Sequence, residues 1–228
     1  MKVRLIIRLV LILLGSSKCI TAQVQDAQLW ENIGIEKYIN PRLYVHVIQQ
    51  GRISENYSLP HYNDFDMGIN YKINKHVHAA FAYVWGQKKK WNNDYWSTRQ
   101  QAYFDLTFRE KFKGFLFCDR QMVSGQVVDY FTSINGKIPT YYLRNKLTIR
   151  YEKNFRLAPY IASEIYYNVN GLYDNWQYRF NHIRYFAGVF YRPDSVNEFE
   201  IYYLIDNHIN TKTPTLNWVI GLGYTFCF

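Results

Sequence analysis

From Leu29 to Phe228, apolar and polar residues alternate with a period of two, and Asn, Gly, Pro and charged residues interrupt the alternation at fairly even intervals. Successive side chains of a β-strand point to opposite faces of the sheet, so this period predicts strands. We count eleven such segments, which begin near Leu29, Leu43, Tyr62, His76, Arg99, Gly114, Tyr142, Leu157, Tyr178, Asn197 and Leu216.

The segments run to about ten residues or more, which is the length that a tilted strand needs to cross a bilayer. Strands of soluble proteins usually have about five or six residues. Short and long connections alternate, as in outer-membrane barrels, and the long ones fall at 51–61, 87–96, 124–140, 168–176 and 206–214. We therefore expect an all-β fold, a single antiparallel up-and-down transmembrane β-barrel of about 10 to 12 strands.

The odd number of segments conflicts with the even number that is usual in bacterial barrels. Three alternatives stay open. The first segment is not a wall strand, which leaves ten strands; a further strand lies within 124–140, which gives twelve; or Gln23 to Gln28 threads the lumen before the first strand.

The two faces of the segments differ in chemistry. Phe104, Leu106 and Phe108 alternate with polar and charged residues, so one face suits lipid and the other a polar lumen. The same reasoning assigns Asp64, Asp66, His76 and His78 to the lumen. The predicted pore-lining residues are Arg99, Asp105, Arg109, Arg144, Lys146, Arg150, Glu164, Arg184, Glu198 and Glu200.

These lumen charges allow two interpretations. In a narrow bore, Arg and Glu side chains pair and fill the interior with salt bridges and hydrogen bonds. Alternatively, they line a pathway for small solutes or ions, which a basic wall of Arg144, Lys146, Arg150 and Arg184 would make selective for anions.

Aromatic residues mark the ends of the segments and the end of the chain. We expect an interfacial girdle formed by Trp85, Trp91, Trp96, Trp176 and Trp218. The last segment has an apolar face opposite Gly221, Gly223 and Thr225 and stops on an aromatic residue, which resembles the signal read by the barrel-assembly machinery. The residues predicted to carry this signal are Tyr224, Phe226 and Phe228.

Residues 1–22 have the order of a secretory signal peptide. Basic residues up to Arg8 precede a short apolar run from Leu9 to Leu14, and small and polar residues follow as far as Ala22. A retained anchor helix is disfavoured because the apolar run is too short to span a bilayer. Lipid attachment at Cys19 is disfavoured because Lys18 precedes it. The predicted organisation is a signal peptide over 1–22 and a barrel over 23–228.

Composition narrows the function classes. The chain has 228 residues, 48% hydrophobic and 19% aromatic, so it is not intrinsically disordered, and a mean hydropathy of -0.32 excludes a bundle of membrane helices. Four of the charges behind the net +9 lie in residues 1–22. Cys118 and Cys227 have neither metal nor redox spacing, so we expect no cofactor and no metal. The basic run Lys88–Lys90 falls in a predicted outer loop, where export favours lipopolysaccharide headgroups over nucleic acid as its partner.

The residues from Pro159 to Asn168 form a recognisable stretch, PYIASEIYYN. Further matching positions are Leu143, Arg144, Lys146, Tyr151, Arg184, Gly188, Tyr191, Tyr203 and the closing residues 221–226. Together they resemble an uncharacterised outer-membrane β-barrel family of the Bacteroidetes type, a domain of unknown function. The resemblance implies a barrel in the outer membrane and supplies no settled activity.

The functional expectation is a non-catalytic barrel with a structural or accessory role, or a narrow solute pore, in contact with outer-membrane lipid. One alternative is a membrane-embedded lipid or peptide hydrolase, for which His61, Asp64 and Asp66 near an outer loop are the candidate residues. Another is a subunit of a larger envelope complex with a protein partner. His76 and His78 could together bind a metal only with a third ligand.

Overall fold

Eleven strands, joined in chain order, close into one barrel in the computed structural model. The structure describes residues 24–90, 95–129, 138–153, 156–170, 179–211 and 213–228. The predicted signal segment, Trp91 and Trp176 lie outside these residues. The strands are β1 (Val24–Asn40), β2 (Leu43–Ser54), β3 (Leu59–Lys72), β4 (Val77–Lys90), β5 (Tyr95–Phe112), β6 (Phe115–Val128), β7 (Thr140–Tyr151), β8 (Leu157–Asn168), β9 (Phe180–Tyr191), β10 (Asn197–His208) and β11 (Thr215–Cys227).

Neighbouring strands along the chain pair antiparallel, and β1 closes the barrel by pairing parallel with β11, from Val24 opposite Thr215 to Glu36 opposite Cys227. A parallel seam is the geometric result of an odd strand number, because the first and last strands then run in the same direction. The count of eleven is therefore confirmed, and the expectation that it should be ten or twelve is wrong for the described residues. Residues 24–28 belong to the wall in β1 and do not thread the lumen.

Asn and Asp residues build the short connections. The Asn40 side chain accepts hydrogen bonds from the backbone N–H groups of Arg42 and Leu43 at 2.8 and 2.9 Å. Asn74 and Asp194 make the same pattern with the residues that follow them. Such side chains replace backbone partners in tight turns, so these residues fix where one strand ends and the next begins.

In the described residues no helix is long and apolar enough to cross a bilayer.

The outward surface is apolar and the interior is polar, the reverse of a soluble protein. Phe81, Phe104 and Ile201 point outward with 57%, 47% and 53% of their surface exposed. Glu164 and Asp206, by contrast, are only 1% and 2% exposed inside the barrel. Alternation along each strand produces this arrangement, since every second side chain faces the lumen.

Several strands extend into the predicted long connections. Residues 51–54, 87–90, 124–128 and 206–208 continue β2, β4, β6 and β10. At this end of the barrel, side chains on both faces are more often polar, so the alternation fades although the backbone ladder continues. Short and long connections alternate as predicted, but four of the long connections are shorter than expected.

A polar patch interrupts the apolar outward face. Asp119 and Gln121 on β6 and Asn145 on β7 contact one another there: the Gln121 amide donates to Asp119 at 3.0 Å and the Asn145 amide donates to it at 2.5 Å. Phe117 and Val123 flank the patch along β6 and are exposed. We call Asp119, Gln121 and Asn145 the outward polar patch. They hydrogen-bond to one another within apolar surroundings.

Aromatic side chains pack against one wall of the lumen. Tyr202 lies directly over Gly221 on the neighbouring strand, where an added Cβ would come within 1.9 Å of the tyrosine Cζ. Only glycine leaves room for the ring at that position. Tyr202 belongs to a buried cluster that also contains Trp30, Tyr160, Ala162, Leu204 and Val219.

Candidate functional site

Two cavities lined by described residues lie in the interior of the barrel. The larger has a volume of about 1420 Å³ and extends to Val24, Glu55 and Thr215, at the end where the long connections lie. The smaller has a volume of about 390 Å³ and extends to Arg109 and Arg150, toward the short turns. The larger cavity also reaches Glu198 and Thr225 near the short turns, so the two cavities partly lie side by side. Four residues line both cavities, and we call this shared stretch of wall the waist: Arg120, Lys146, Phe190 and Glu200.

All ten residues predicted to line the lumen border one of the two cavities. The larger cavity is lined by Arg99, Arg144, Lys146, Glu164, Arg184, Glu198 and Glu200. The smaller cavity is lined by Asp105, Arg109 and Arg150, together with Lys146 and Glu200 from the waist. Alternation along each strand is sufficient to assign these side chains to the interior, because every second residue of a barrel strand faces the lumen.

Glu164 is the centre of a cationic cluster. Its Oε1 accepts hydrogen bonds from Arg120 at 2.9 Å and from Arg144 at 2.8 Å. Its Oε2 accepts one from the Tyr166 hydroxyl at 3.2 Å and lies 3.7 Å from Arg184. Three guanidinium groups from three strands therefore converge on one carboxylate, which ties β6, β7 and β9 to β8.

Asp206 is a second buried carboxylate beside this cluster. Its Oδ1 accepts a hydrogen bond from Arg184 Nε at 2.8 Å and contacts His182 Nε2. Its Oδ2 lies 3.4 Å from His208 Nε2 and accepts a hydrogen bond from Asn217 at 3.3 Å. Arg184 thus joins the two carboxylates into one network that crosses the wall from β6 to β11.

The interior combines cations with aromatic faces. The Arg52 guanidinium lies 3.8 Å from the Trp30 ring centroid, and Lys146 Nζ lies 4.1 Å from that of Phe186. The Tyr160 hydroxyl donates to Glu200 at 2.5 Å. Such contacts stabilise charges away from bulk water, so the lumen wall is both charged and internally paired.

One protein family matches most of the chain: its model, described as "Protein of unknown function (DUF2490)", covers residues 27–217. The chain belongs to this family. No curated protein matches it. Of the resemblance inferred from the sequence, the unknown-function family and the β-barrel fold are confirmed for this DUF2490 member.

Sequence reasoning missed several polar residues of this DUF2490 barrel. Arg52, Arg120 and Tyr166 were not singled out for the lumen, and 206–214 was expected to be a connection, although Asp206 lies in β10. Alternation shows which residues share a face but not which residues of different strands lie side by side. For β9 and β10, the symmetry of the hairpin could have indicated which residues lie side by side. His182 and His208 are equally distant from Ser195 in the turn, and they pair across the two strands.

His76 does not line the lumen, contrary to the expectation. It lies in the short connection before β4, 46% exposed, with Nδ1 2.8 Å from Glu110. His78 lines the smaller cavity, 3.5 Å from Arg109. β4 begins at Val77, so His76 lies before the strand. Its side chain therefore does not follow the alternation that places His78 in the lumen. The idea that these two histidines share a metal is therefore wrong.

His61, Asp64 and Asp66 line the larger cavity and do not form an exposed rim. Asp66 accepts a hydrogen bond from Tyr103 at 2.8 Å and contacts His46 at 3.2 Å. In the described part of the chain, these three residues are not among the groups whose donor atoms converge on a metal-sized space.

The basic run Lys88–Lys90 is part of β4 and not of an outer loop, because the ladder with β5 continues to the pair Lys90 and Tyr95. Lys88 points into the larger cavity, while Lys89 lies opposite Trp96. The predicted contact of the whole run with lipopolysaccharide does not hold for Lys88.

The rim of the smaller cavity carries a compact ion pair. Arg150 contacts Glu152, which also lies 2.7 Å from Lys111 Nζ. Burial alone would raise the pKa of Glu152, but the hydrogen bond from Lys111 and the charge of Arg150 outweigh it and lower the pKa.

The described tryptophans of the predicted girdle lie toward the end with the long connections. Trp85 and Trp96 are 40% and 38% exposed, and Trp218 stacks against Tyr203 with ring centroids 6.2 Å apart. At the opposite end of the barrel are the residues of the predicted assembly signal. The Tyr224 hydroxyl donates to Asn197 at 2.8 Å, and the Phe226 and Phe228 rings lie 5.6 Å apart.

Proposed function

We propose that this DUF2490 member is an outer-membrane β-barrel that forms a narrow pathway for small polar solutes and carries out no catalysis. The observation that supports the proposal best is the pair of adjoining polar cavities that share the waist residues Arg120, Lys146, Phe190 and Glu200. Both cavities are roomy and lined largely by polar side chains, so they suit water and small polar solutes.

The membrane location rests on the inverted distribution of residues. Large apolar side chains are exposed on all eleven strands, and they include Ile33, Val47, Ile69, Phe81, Phe104, Phe117, Leu147, Ile161, Tyr185, Ile201 and Leu222. Monomeric soluble proteins rarely expose contiguous apolar surface on this scale. The predicted signal peptide supports export, and the exposed apolar face of β11, with Leu222 and Phe226, supports delivery by the barrel-assembly machinery.

The lipid headgroups are the expected partners at the end with the long connections. Trp85 and Trp96 face outward there, and Lys89 lies on the same side, opposite Trp96 in the ladder. An aromatic residue beside a cation is typical of the level where anionic lipopolysaccharide headgroups begin.

The waist determines which solutes pass. It contributes Arg120, Lys146 and Glu200, two positive charges and one negative, so an anion is favoured where the two cavities adjoin. Lys146 is the residue to change, because Arg120 is held by Glu164 whereas the Lys146 ammonium lies over the Phe186 ring.

Single-channel recording of the refolded protein in a planar bilayer tests the proposal. We expect stable steps, with an anion preference that K146E shifts toward cations. The matched control is K75E, because Lys75 is exposed in the β3–β4 connection and borders neither cavity; its reversal potential should equal that of the wild type. Silence from a correctly folded, inserted barrel would refute the pathway, and equal selectivity of K146E and wild type would place any pathway elsewhere.

A further inference from the structure

Three metal-ligating side chains converge at one point of the larger cavity. His182 on β9 lies directly opposite His208 on β10, and Asp206 lies two residues before His208 on the same inward face. One ligand atom from each residue lies within 4.8 Å of the others. This trio, the His–Asp–His cluster, is outside the waist on which the proposed function rests.

The chemistry of the donors suits a divalent transition metal. Two imidazoles and one carboxylate make up the protein ligands of many zinc sites that keep one position open. Ligand bonds of about 2.0–2.2 Å place neighbouring ligand atoms of a tetrahedral ion roughly 3.4 Å apart. The distance from His208 Nε2 to Asp206 Oδ2 is 3.4 Å. His182 Nε2 is closer to the carboxylate and would withdraw slightly as the ion enters.

The cluster is held in place by its neighbours. The two imidazole rings stack with centroids 3.9 Å and planes 19° apart, and Tyr166 stacks on the far side of His182 at 4.3 Å. Because an imidazole nitrogen binds a metal in the plane of its ring, the more exposed ring, that of His208, must turn out of this stack to bind the ion. Arg184 donates to Asp206 Oδ1 at 2.8 Å and Asn217 donates to Oδ2 at 3.3 Å. Hydrogen bonds of this kind orient a carboxylate ligand, and they are a regular part of metal sites.

The charge of Arg184 does not by itself exclude a cation. Its Nη1 donates to the Tyr166 hydroxyl at 2.5 Å and lies 3.7 Å from Glu164, so the guanidinium is divided between Asp206 and a second carboxylate. Asp206 keeps Oδ2, the oxygen on the His208 side, for an ion. The nearby positive charge makes the site weaker than an isolated trio, and the two imidazole ligands favour zinc over calcium or magnesium.

We propose that His182, Asp206 and His208 bind one divalent transition metal ion, with Zn²⁺ as the expected ion and its fourth position open to the larger cavity. A metal there would join β9 to β10 and give a ligand in the lumen an electrophilic contact. The inference does not depend on conductance, because binding is measured on the folded barrel whether or not solutes pass.

The test uses tag-free, full-length protein refolded in detergent and treated with a chelator. Co²⁺ is the spectroscopic probe and Zn²⁺ displaces it. We expect one equivalent of Co²⁺, visible absorption of a four-coordinate site, and at least tenfold weaker binding in H208A. His208 is the best residue to remove, since its side chain is 38% exposed and its contact with Asp206 is the longest in the cluster.

H46A is the matched control. His46 is also a lumen histidine beside a carboxylate, 3.2 Å from Asp66, but it lies outside the His–Asp–His cluster. Its Co²⁺ affinity should equal that of the wild type. A second variant, H182Q, should also lose binding while keeping the heat-modifiable gel migration of a folded barrel. Absence of binding in the wild type, or equal binding by H208A and H46A, would overturn the proposal.

Discussion

Replacing Glu164 with Gln tests whether the cationic cluster stabilises the barrel. The Glu164 carboxylate is 1% exposed and accepts charge-assisted hydrogen bonds from Arg120 at 2.9 Å and Arg144 at 2.8 Å. Arg184 lies 3.7 Å away, and the Tyr166 hydroxyl is 3.2 Å away. The E164Q side chain has nearly the same shape, so it removes the negative charge and leaves the guanidinium groups facing one another.

The expected loss of stability follows from the hydrogen bonds and charges around Glu164. Two hydrogen bonds to a charged group are worth roughly 3–6 kcal/mol together. The glutamine oxygen keeps one of them in weaker form, and the side chains of Arg120, Arg144 and Arg184 are 30%, 18% and 12% exposed, so water partly screens them. Removing one partner of a buried charge pair costs about 3–5 kcal/mol. We expect E164Q to lower the free energy of unfolding by about 3 kcal/mol.

Urea unfolding in lipid vesicles, followed by tryptophan fluorescence and by gel migration without heating, measures this difference. E198Q is the control: Glu198 is also inside, but its side chain is 27% exposed, and among the described residues its ion-pair partner is Arg192, at 2.5 Å. It should cost less than about 1 kcal/mol. The reasoning is refuted if E164Q lies within about 0.5 kcal/mol of the wild type, or if the two variants lose the same stability.

Two further predictions concern the outward face and the lumen wall. D119N keeps the size of Asp119 but removes its charge, so the free energy of unfolding in lipid vesicles should rise by about 1 kcal/mol; a fall would show that the hydrogen bonds from Gln121 and Asn145 to the carboxylate outweigh the cost of its charge beside lipid. G221A places a methyl group against the Tyr202 ring and should cost about 1–3 kcal/mol in the same urea assay. The cost should largely disappear in a Y202A background, and an equal cost in both backgrounds would contradict the contact between the two residues.

The sequence was sufficient to predict the strands and their faces, because both depend on local alternation. Glu164 and Arg184 could be assigned to the interior without knowledge of any neighbour. The number of strand segments was also predicted correctly. The expectation of an even number failed because an even count is a statistical tendency of other barrels and not a geometric requirement. Nothing in the backbone chemistry of a closed sheet forbids a parallel seam, which is only slightly less stable per residue than an antiparallel one.

The parts of the site that depend on register were not predictable in the same way. The convergence of Arg120 and Arg144 on Glu164 requires three strands to be aligned at once, and a slip of two residues would keep every face and lose the cluster. His182 and His208 come together because the β9–β10 hairpin is symmetric about its turn. The start of β4 at Val77, which removes His76 from the lumen, depends on the Asn74 turn.

The parallel seam also places the first and last described residues, Val24 and Phe228, at opposite ends of the barrel. Val24 donates a hydrogen bond to Pro214 in the β10–β11 connection, while Phe228 pairs with Glu36 and Tyr38 beside the short turns. An even barrel returns its last strand to the side where the first began, whereas eleven strands do not. If the short turns face the periplasm, a protease or a labelling reagent added to intact cells would reach the chain at Val24, while an epitope fused after Phe228 would stay protected until the envelope is opened.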